Sequence, residues 1–209
     1  MKQMTNAAPD RTLNVSQTAV PIKYISVGQP LGYLGPSASP TDQVAFWLRR
    51  GDEFLSLSGN TFRLWAQMQT PQSEKAVVES RPDLIDTISE DLAILLQEQL
   101  AVVLPADPRE FLSWTSIRAL PQGFGTGLSD DDPTSFEVMV GHQVLIRLSA
   151  VGYFFWAYCD GRRSIAEVIQ AVGNHFEIST ETVLSYLPSL LEGMLASGAI
   201  RLDAAKGSA

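Results

Sequence analysis

Few side chains in this 209-residue sequence have the types and spacing that catalysis or metal binding requires. Gly123-Phe124-Gly125-Thr126-Gly127 has the glycine spacing of a phosphate loop, yet it follows no buried strand and opens no helix. A plain turn is therefore expected there. Asp130-Asp131-Asp132 lacks the spaced oxygen ligands of a calcium loop, which favours a solvated acidic segment over a cation site.

The two histidines and the single cysteine do not form a recognisable site in the sequence. His142 lies in a predicted hairpin turn and His175 near a helix end, and neither has a His or Cys neighbour at metal-ligand spacing. Cys159 lies among aromatic residues with no nearby base, so we expect a buried thiol in a reducing, cytoplasmic setting. We predict no catalytic residue, no metal and no cofactor, and thus a protein that is not an enzyme.

The elements that would position a functional surface are clearest from Leu148 to Ile200. Apolar spacing there predicts three short helices between two strands. A polar turn, Asp160–Arg163, ends the first helix, Ser164 begins the second, and the third runs from about Ser179 to Gly198. Three helices beside a small sheet are typical of a winged-helix domain.

The same stretch resembles PqqD-like domains, also called RiPP recognition elements, where a RiPP is a ribosomally made and later modified peptide. The matching residues are Leu148-Ser149, Trp156, Asp160-Gly161, the helix start Ser164–Val168, Phe176, Ile178 and Gly198-Ala199-Ile200. The resemblance implies a winged-helix fold that holds the leader segment of a precursor peptide. It also implies a partner enzyme, radical or metal-dependent, that modifies the rest of that peptide.

A shift of about 91 residues lays the first half of the chain over the second, which predicts a tandem duplication. The matches that support it are Pro30, Gly32 and Tyr33 with Pro121, Gly123 and Phe124; Leu57-Ser58 with Leu148-Ser149; Trp65 with Trp156; and Ser73 with Ser164. After Arg81 the first copy is about four residues shorter, so that Leu95 and Leu100 fall on Leu190 and Leu195.

The predicted fold is α+β, with two tandem winged-helix-like units, each a small antiparallel sheet with three helices. We place a disordered tail at 1–21, a first, degenerate PqqD-like unit at 22–112, a second PqqD-like unit at 113–205 and a short tail at 206–209. Irregular lead-ins are expected at 30–40 and 116–133, and a capping box at Thr87–Glu90. Phe111 and Trp114 are expected to pack between the units.

A peptide-binding groove is predicted in the second unit. Its strand before the first helix would lie at a sheet edge, with open N–H and C=O groups that accept an added peptide strand. The predicted residues are Val144, Leu145, Ile146, Arg147 and Leu148 on the strand, and Val183, Tyr186, Leu187 and Leu190 on the third helix. The alternative for each of them is an ordinary place in the core.

The charge and hydropathy of the sequence argue against nucleic acid and membrane as partners. The net charge is −8, and the candidate recognition helix Thr180–Ser197 has no Lys or Arg, which argues against nucleic acid. The sequence has no run of eighteen apolar residues, so we predict no membrane span. The leading interpretation is a non-catalytic protein that presents a precursor peptide to a modifying enzyme. The alternatives are a winged-helix transcriptional regulator and a protein–protein scaffold.

Overall fold

Strands and helices follow one another in the same order in the two halves of the chain. A computed structural model describes residues 21–33 and 46–204. In the first half the strands and α-helices are β1 (Tyr24–Ser26), β2 (Gln29–Tyr33), β3 (Phe46–Arg50), β4 (Glu53–Leu57), α1 (Gly59–Gln67), α2 (Glu74–Ser80), α3 (Ile88–Gln97) and β5 (Ala101–Val103), with a 3-10 helix at Pro82–Leu84 between α2 and α3. The predicted tails lie outside the described residues, apart from Pro21.

The second half repeats this order after a 3-10 helix at Pro108–Ser113. Its elements are β6 (Ile117–Pro121), β7 (Phe124–Leu128), β8 (Phe136–Val140), β9 (Gln143–Leu148), α4 (Ala150–Tyr158), α5 (Ile165–Phe176), α6 (Thr180–Ala196) and β10 (Ile200–Ala204). Each half has one three-stranded antiparallel sheet (β2-β3-β4 or β7-β8-β9) and one two-stranded sheet (β1-β5 or β6-β10). The predicted α+β class, with small antiparallel sheets and several helices, is confirmed.

Serine caps begin most of the helices, as their sequence positions indicate. Ser58, Ser73, Ser149, Ser164 and Ser179 each accept a hydrogen bond from a backbone N–H in the first helical turn. At Ser164 a full capping box forms with Glu167.

The capping box predicted at Thr87 is wrong. Thr87 has helical rather than extended backbone angles (φ −117°, ψ −10°), and its side chain makes no capping hydrogen bond. A capping residue needs extended angles to direct its oxygen at the next turn, so the motif fails here on backbone geometry.

The two lead-in segments are not irregular, as predicted, but form strands β2, β6 and β7. Glycine and proline hide the alternating pattern of these strands, and their pairing depends on partners later in the chain. Both β2 and β7 contain a bulge at a glycine with left-handed φ, 95° at Gly32 and 94° at Gly127. Residues 34–40 of the first lead-in lie outside the described residues.

The structure changes the residue correspondence between the halves. Gly32 corresponds to Gly127 rather than to Gly123, because both mark the same bulge. The Leu100 N–H donates to the Leu95 carbonyl, and the Ala199 N–H donates in the same way to the Met194 carbonyl. Leu95 therefore corresponds to Met194 rather than to Leu190. Trp65 and Trp156 keep their predicted match, each at the same distance from its serine cap.

The two halves contact each other through main-chain and side-chain bonds. The Gly28 N–H donates to the Leu202 carbonyl at 2.9 Å, and the Gly51 N–H donates to Asp203 Oδ1 at 2.9 Å. Ile25 of β1 and Val27, which directly follows β1, are fully buried in the core of the second half. Phe111 and Trp114 belong to that same core, where the 3-10 helix packs on α5 and α6.

Within the described residues, no helix is both long enough and apolar enough to cross a membrane.

Candidate functional site

Strand β9 lies at the edge of its sheet. It pairs with β8 on one side, and within the described residues no strand pairs with its other side. The turn at Gly141-His142 fixes the hairpin, and a bulge leaves Leu145 out of the regular register between Val144 and Ile146. An edge of this kind offers unpaired main-chain donors and acceptors to another extended segment.

A cleft of about 680 Å³ lies between β9 and α6. Its lining includes Ile146, Arg147 and Leu148 of β9, Ser149, Val151 and Gly152 at the start of α4, Ile178, and Thr182, Tyr186, Ser189, Leu190 and Gly193 of α6. The α6 residues recur every three or four positions, which places them on one helical face. The cleft thus combines a strand edge with a mostly apolar side-chain trough.

Two glycines keep this cleft open. A Cβ atom at Gly152 would lie 3.0 Å from Leu190 Cδ1, and one at Gly193 would lie 3.7 Å from Ile146 Cδ1. Ile146, earlier in β9, lies beside Gly193, which is late in α6. Leu148, at the end of β9, lies with Gly152 near Leu190, which is earlier in α6. Strand β9 and helix α6 therefore run in opposite directions along the cleft. Larger residues at either glycine would fill the space between strand and helix.

The predicted site residues divide into two groups. Ile146, Arg147, Leu148, Tyr186 and Leu190 all line the cleft, and the Tyr186 side chain is 58% exposed. Val144 and Leu145 lie on β9 but outside this lining.

Val183 and Leu187 do not face the cleft, contrary to prediction. They are 3% and 0% exposed and belong to the core of the second half. The apolar spacing of α6 identified the stripe that packs inward. Thr182, Ser189 and Gly193, which share the neighbouring stripe with Tyr186, were missed because that stripe is of mixed polarity. Glycine within a helix is the signal that could have revealed it.

Arg147 is the one cationic residue in the lining of the cleft. Its Nε donates to Glu137 Oε1 at 2.9 Å and its Nη2 to Asp131 Oδ2 at 3.1 Å. These hydrogen bonds, first that of Glu137 and then that of Asp131, raise the pKa of Arg147. The acidic segment Asp130–Asp132 therefore helps to hold this rim of β9, and the described residues contain no cluster that could hold a metal ion.

The other candidate residues have structural roles. Gly125 lies in β7, where a Cβ atom would overlap the Tyr153 hydroxyl, so the glycine run allows close packing. Cys159 is fully buried, and burial raises the pKa of its thiol, which keeps it protonated and unreactive. His142 is exposed in the β8–β9 turn. His175 stacks on Phe154 with ring centroids 4.3 Å apart.

The turn at Asp160 is held by its own side chain. Its Oδ1 accepts from the backbone N–H groups of Arg162 and Arg163 at 2.9 and 3.0 Å, and its Oδ2 accepts from Arg163 Nη1 at 2.8 Å. Partial burial alone would raise the pKa of Asp160, but the N–H donors and the nearby Arg163 charge lower it overall. The carboxylate thus fixes the path from α4 to α5.

The equivalent place in the first half is filled. Thr61 stands where the second half has Gly152, and its hydroxyl donates to Asp91 Oδ1 at 2.6 Å, with Asp91 standing where Leu190 does. Ile94 occupies the position of Gly193. A buried, hydrogen-bonded pair of side chains therefore lies in the first half where Gly152 and Leu190 line the cleft in the second.

The segment of the chain that forms this cleft is similar to a known protein family. Residues 137–200 match the family described as Coenzyme PQQ synthesis protein D (PqqD). The PqqD-like region, residues 137–200, covers less than a third of the chain and includes β9, α4, α5 and α6. It supports a peptide-binding partner role in the biosynthesis of PQQ or of another modified peptide. Among curated proteins, nothing matches this chain.

Proposed function

We propose that this protein binds the leader segment of a ribosomally made precursor peptide and presents the rest of that peptide to a modifying enzyme. The observation that carries the proposal is the open edge of β9 beside an apolar cleft, inside the PqqD-like region. The protein itself acts as a partner subunit and contributes no chemical step.

The leader segment binds as an added strand on β9. Its main chain pairs with the outer N–H and C=O groups of β9, which gives affinity with little dependence on sequence. Alternate side chains enter the trough toward Leu148, Gly152 and Leu190, and these contacts set the register. Tyr186, exposed on the α6 side, covers the bound strand.

The two halves have different roles in this proposal. The second unit, 113–205, binds the peptide, and the first unit, 22–112, derives from a tandem duplication and has lost its cleft to Thr61, Asp91 and Ile94. The enzyme partner is radical or metal-dependent, as the PqqD resemblance implies. The protein works in the cytoplasm, where precursor peptides are translated and where the free thiol of Cys159 stays reduced.

Transcriptional regulation through the winged helix is less well supported. Helix α6, which would have to enter a DNA groove, has two glutamates and no basic residue. Counterion displacement needs Lys or Arg at the contact surface, so this helix does not suit a phosphate backbone.

The test begins with affinity purification of the chain from its native cell and mass spectrometry of what copurifies. A ribosomal peptide together with an enzyme is the expected result. The synthetic leader is then titrated calorimetrically against Tyr186→Ala, which should weaken binding by at least about tenfold, roughly 1.4 kcal/mol. Phe54→Ala is the matched control, since Phe54 is an exposed aromatic residue on β4, outside the cleft. Unchanged affinity for a folded Tyr186→Ala protein would overturn the proposal.

A further inference from the structure

The cleft between β9 and α6 continues into a second depression. Ser189 and Gly193 line the cleft and also a space of about 530 Å³ between α6 and the turn Thr70–Gln72 of the first half. Both residues are small, so we describe their shared boundary as a low ridge, which larger side chains would raise. A chain that leaves the cleft near Gly193 meets the first half directly.

The turn Thr70–Gln72 is held firmly beside α6. The Tyr24 N–H donates to the Gln72 carbonyl at 2.8 Å, and the Gln72 N–H donates to the Tyr24 carbonyl at 3.1 Å. The residue before Tyr24, Lys23, forms an ion pair with Glu192 of α6 at 2.8 Å. Strand β1 therefore connects the turn to the helix that walls the cleft, and the depression is a fixed feature of the surface.

The chemistry of the depression suits a peptide main chain. Thr70 and Gln72 form a polar pair, in which Gln72 Nε2 donates to Thr70 Oγ1 at 3.0 Å, and both are only partly buried. Ser189 adds a hydroxyl on the opposite wall. Hydroxyl and amide groups both donate and accept hydrogen bonds, so they can pair with the N–H and C=O groups of an extended chain, and the Glu192 carboxylate in the same lining adds an acceptor for N–H groups.

We propose that the peptide bound on β9 crosses the ridge at Gly193 and continues along Thr70–Gln72, so that both halves bind one peptide. This inference rests on the function proposed above. The cleft follows α6 from Thr182 to Gly193, about 16 Å at 1.5 Å per residue, so about five extended residues fill it. Residues of the same peptide beyond these five contact the first half.

The experiment uses the full chain and one peptide in two lengths. The probe is a peptide selected on the chain from a random mRNA-display library and retained only if Tyr186→Ala abolishes its capture. The short version is the smallest fragment of this peptide whose binding is still lost with Tyr186→Ala. Both lengths are titrated against the double variant Thr70→Ala/Gln72→Ala. Gln67→Ala/Ser80→Ala is the control, because Gln67 and Ser80 form a similar pair, 3.2 Å apart, away from the depression.

The expected result is that Thr70→Ala/Gln72→Ala weakens the long peptide about tenfold, roughly 1.4 kcal/mol, and leaves the short one unchanged. The control variant should change neither. If the double variant affects neither length while Tyr186→Ala does, the extension is refuted and the proposed function stands. Equal weakening of both lengths would also refute the extension, since it would reflect a shift of α6. If the selection yields no peptide that depends on Tyr186, both proposals fail.

Discussion

Closing the cleft with one side chain is the most direct perturbation of the proposed site. Gly193→Ile introduces into α6 the residue that the first half has at Ile94. The new side chain begins 3.7 Å from Ile146 Cδ1 and extends into the trough. Excluding one Val- or Leu-sized peptide side chain from the cleft loses about 1.5–3 kcal/mol of burial. The Kd for a leader peptide should therefore rise roughly ten- to a hundredfold.

The same substitution should not damage the fold. Glycine is the weaker helix former of the two, so Gly193→Ile favours α6 by about 0.5 kcal/mol before any packing cost. We expect an unchanged or slightly higher Tm by circular dichroism together with the loss of binding by calorimetry. Binding and stability would then change in opposite directions, which separates a blocked cleft from partial unfolding.

Ile94→Gly in α3 is the matched control. Ile94 is 45% exposed, so its removal costs helix propensity and about half of its burial, about 1.5–2 kcal/mol in all. Peptide affinity should stay the same. A folded Gly193→Ile protein with unchanged affinity would refute the assignment of the cleft. Equal weakening by Ile94→Gly would show instead that affinity follows the stability of the whole chain.

Three further predictions concern the strand edge, the choice of ligand and the dependence on pH. In an antiparallel hairpin, hydrogen-bonded and non-hydrogen-bonded residue pairs alternate, beginning with a hydrogen-bonded pair beside a two-residue turn. By this count the pairs Trp47–Ser56 and Glu137–Arg147 are non-hydrogen-bonded, so the N–H groups of Ser56 and Arg147 point outward from the sheet edge. Arg147→Pro should thus abolish leader binding in calorimetry and Ser56→Pro should not; the reverse result would assign the binding to the first half. Fluorescence anisotropy should detect no specific duplex DNA binding at physiological salt, and sub-micromolar, steeply salt-dependent binding would contradict this. Hydrogen bonds from Ser164, mainly from its backbone N–H and secondly from its hydroxyl, lower the pKa of the Glu167 carboxyl. The capping box therefore stabilises the fold fully at pH values above the pKa of Glu167 in the unfolded chain. This stabilisation is lost as pH falls through the lower folded value, and Glu167→Gln should remove this dependence from urea titrations; an unaltered pH profile would contradict the assignment.

Local signals in the sequence predicted the helices and the hairpins well. Ser149, Ser164 and Ser179 stand at helix starts, and the glycines of the two-residue turns, Gly51 and Gly141, have the left-handed φ that such turns need. These features depend on residues close together in the chain. The sequence therefore contains most of the information that places β9 beside α4, α5 and α6.

Features that depend on distant partners were not predicted. Strands β2 and β7 exist because β3 and β8 pair with them, and their Gly and Pro residues give no alternating pattern. On α6 the apolar stripe of Val183 and Leu187 is the stripe that a hydrophobicity pattern detects, and it is the core. The stripe of α6 that lines the cleft is defined by its position opposite β9 and the start of α4. That tertiary neighbourhood cannot be read from the sequence of α6 itself.

The asymmetry between the halves has a physical logic in the packing of α6. Phe111 and Trp114 support this helix from the core side, and Lys23 pairs with Glu192 on its outer side. Ile25 of β1 and Val27, the next residue after that strand, complete the same core. The half whose trough is filled by Thr61 and Asp91 thus contributes contacts that fix the cleft wall of the other half. A wall that is rigid before a peptide arrives loses less conformational entropy on binding, so on the function proposed above we expect the first half to increase affinity even where it touches no peptide.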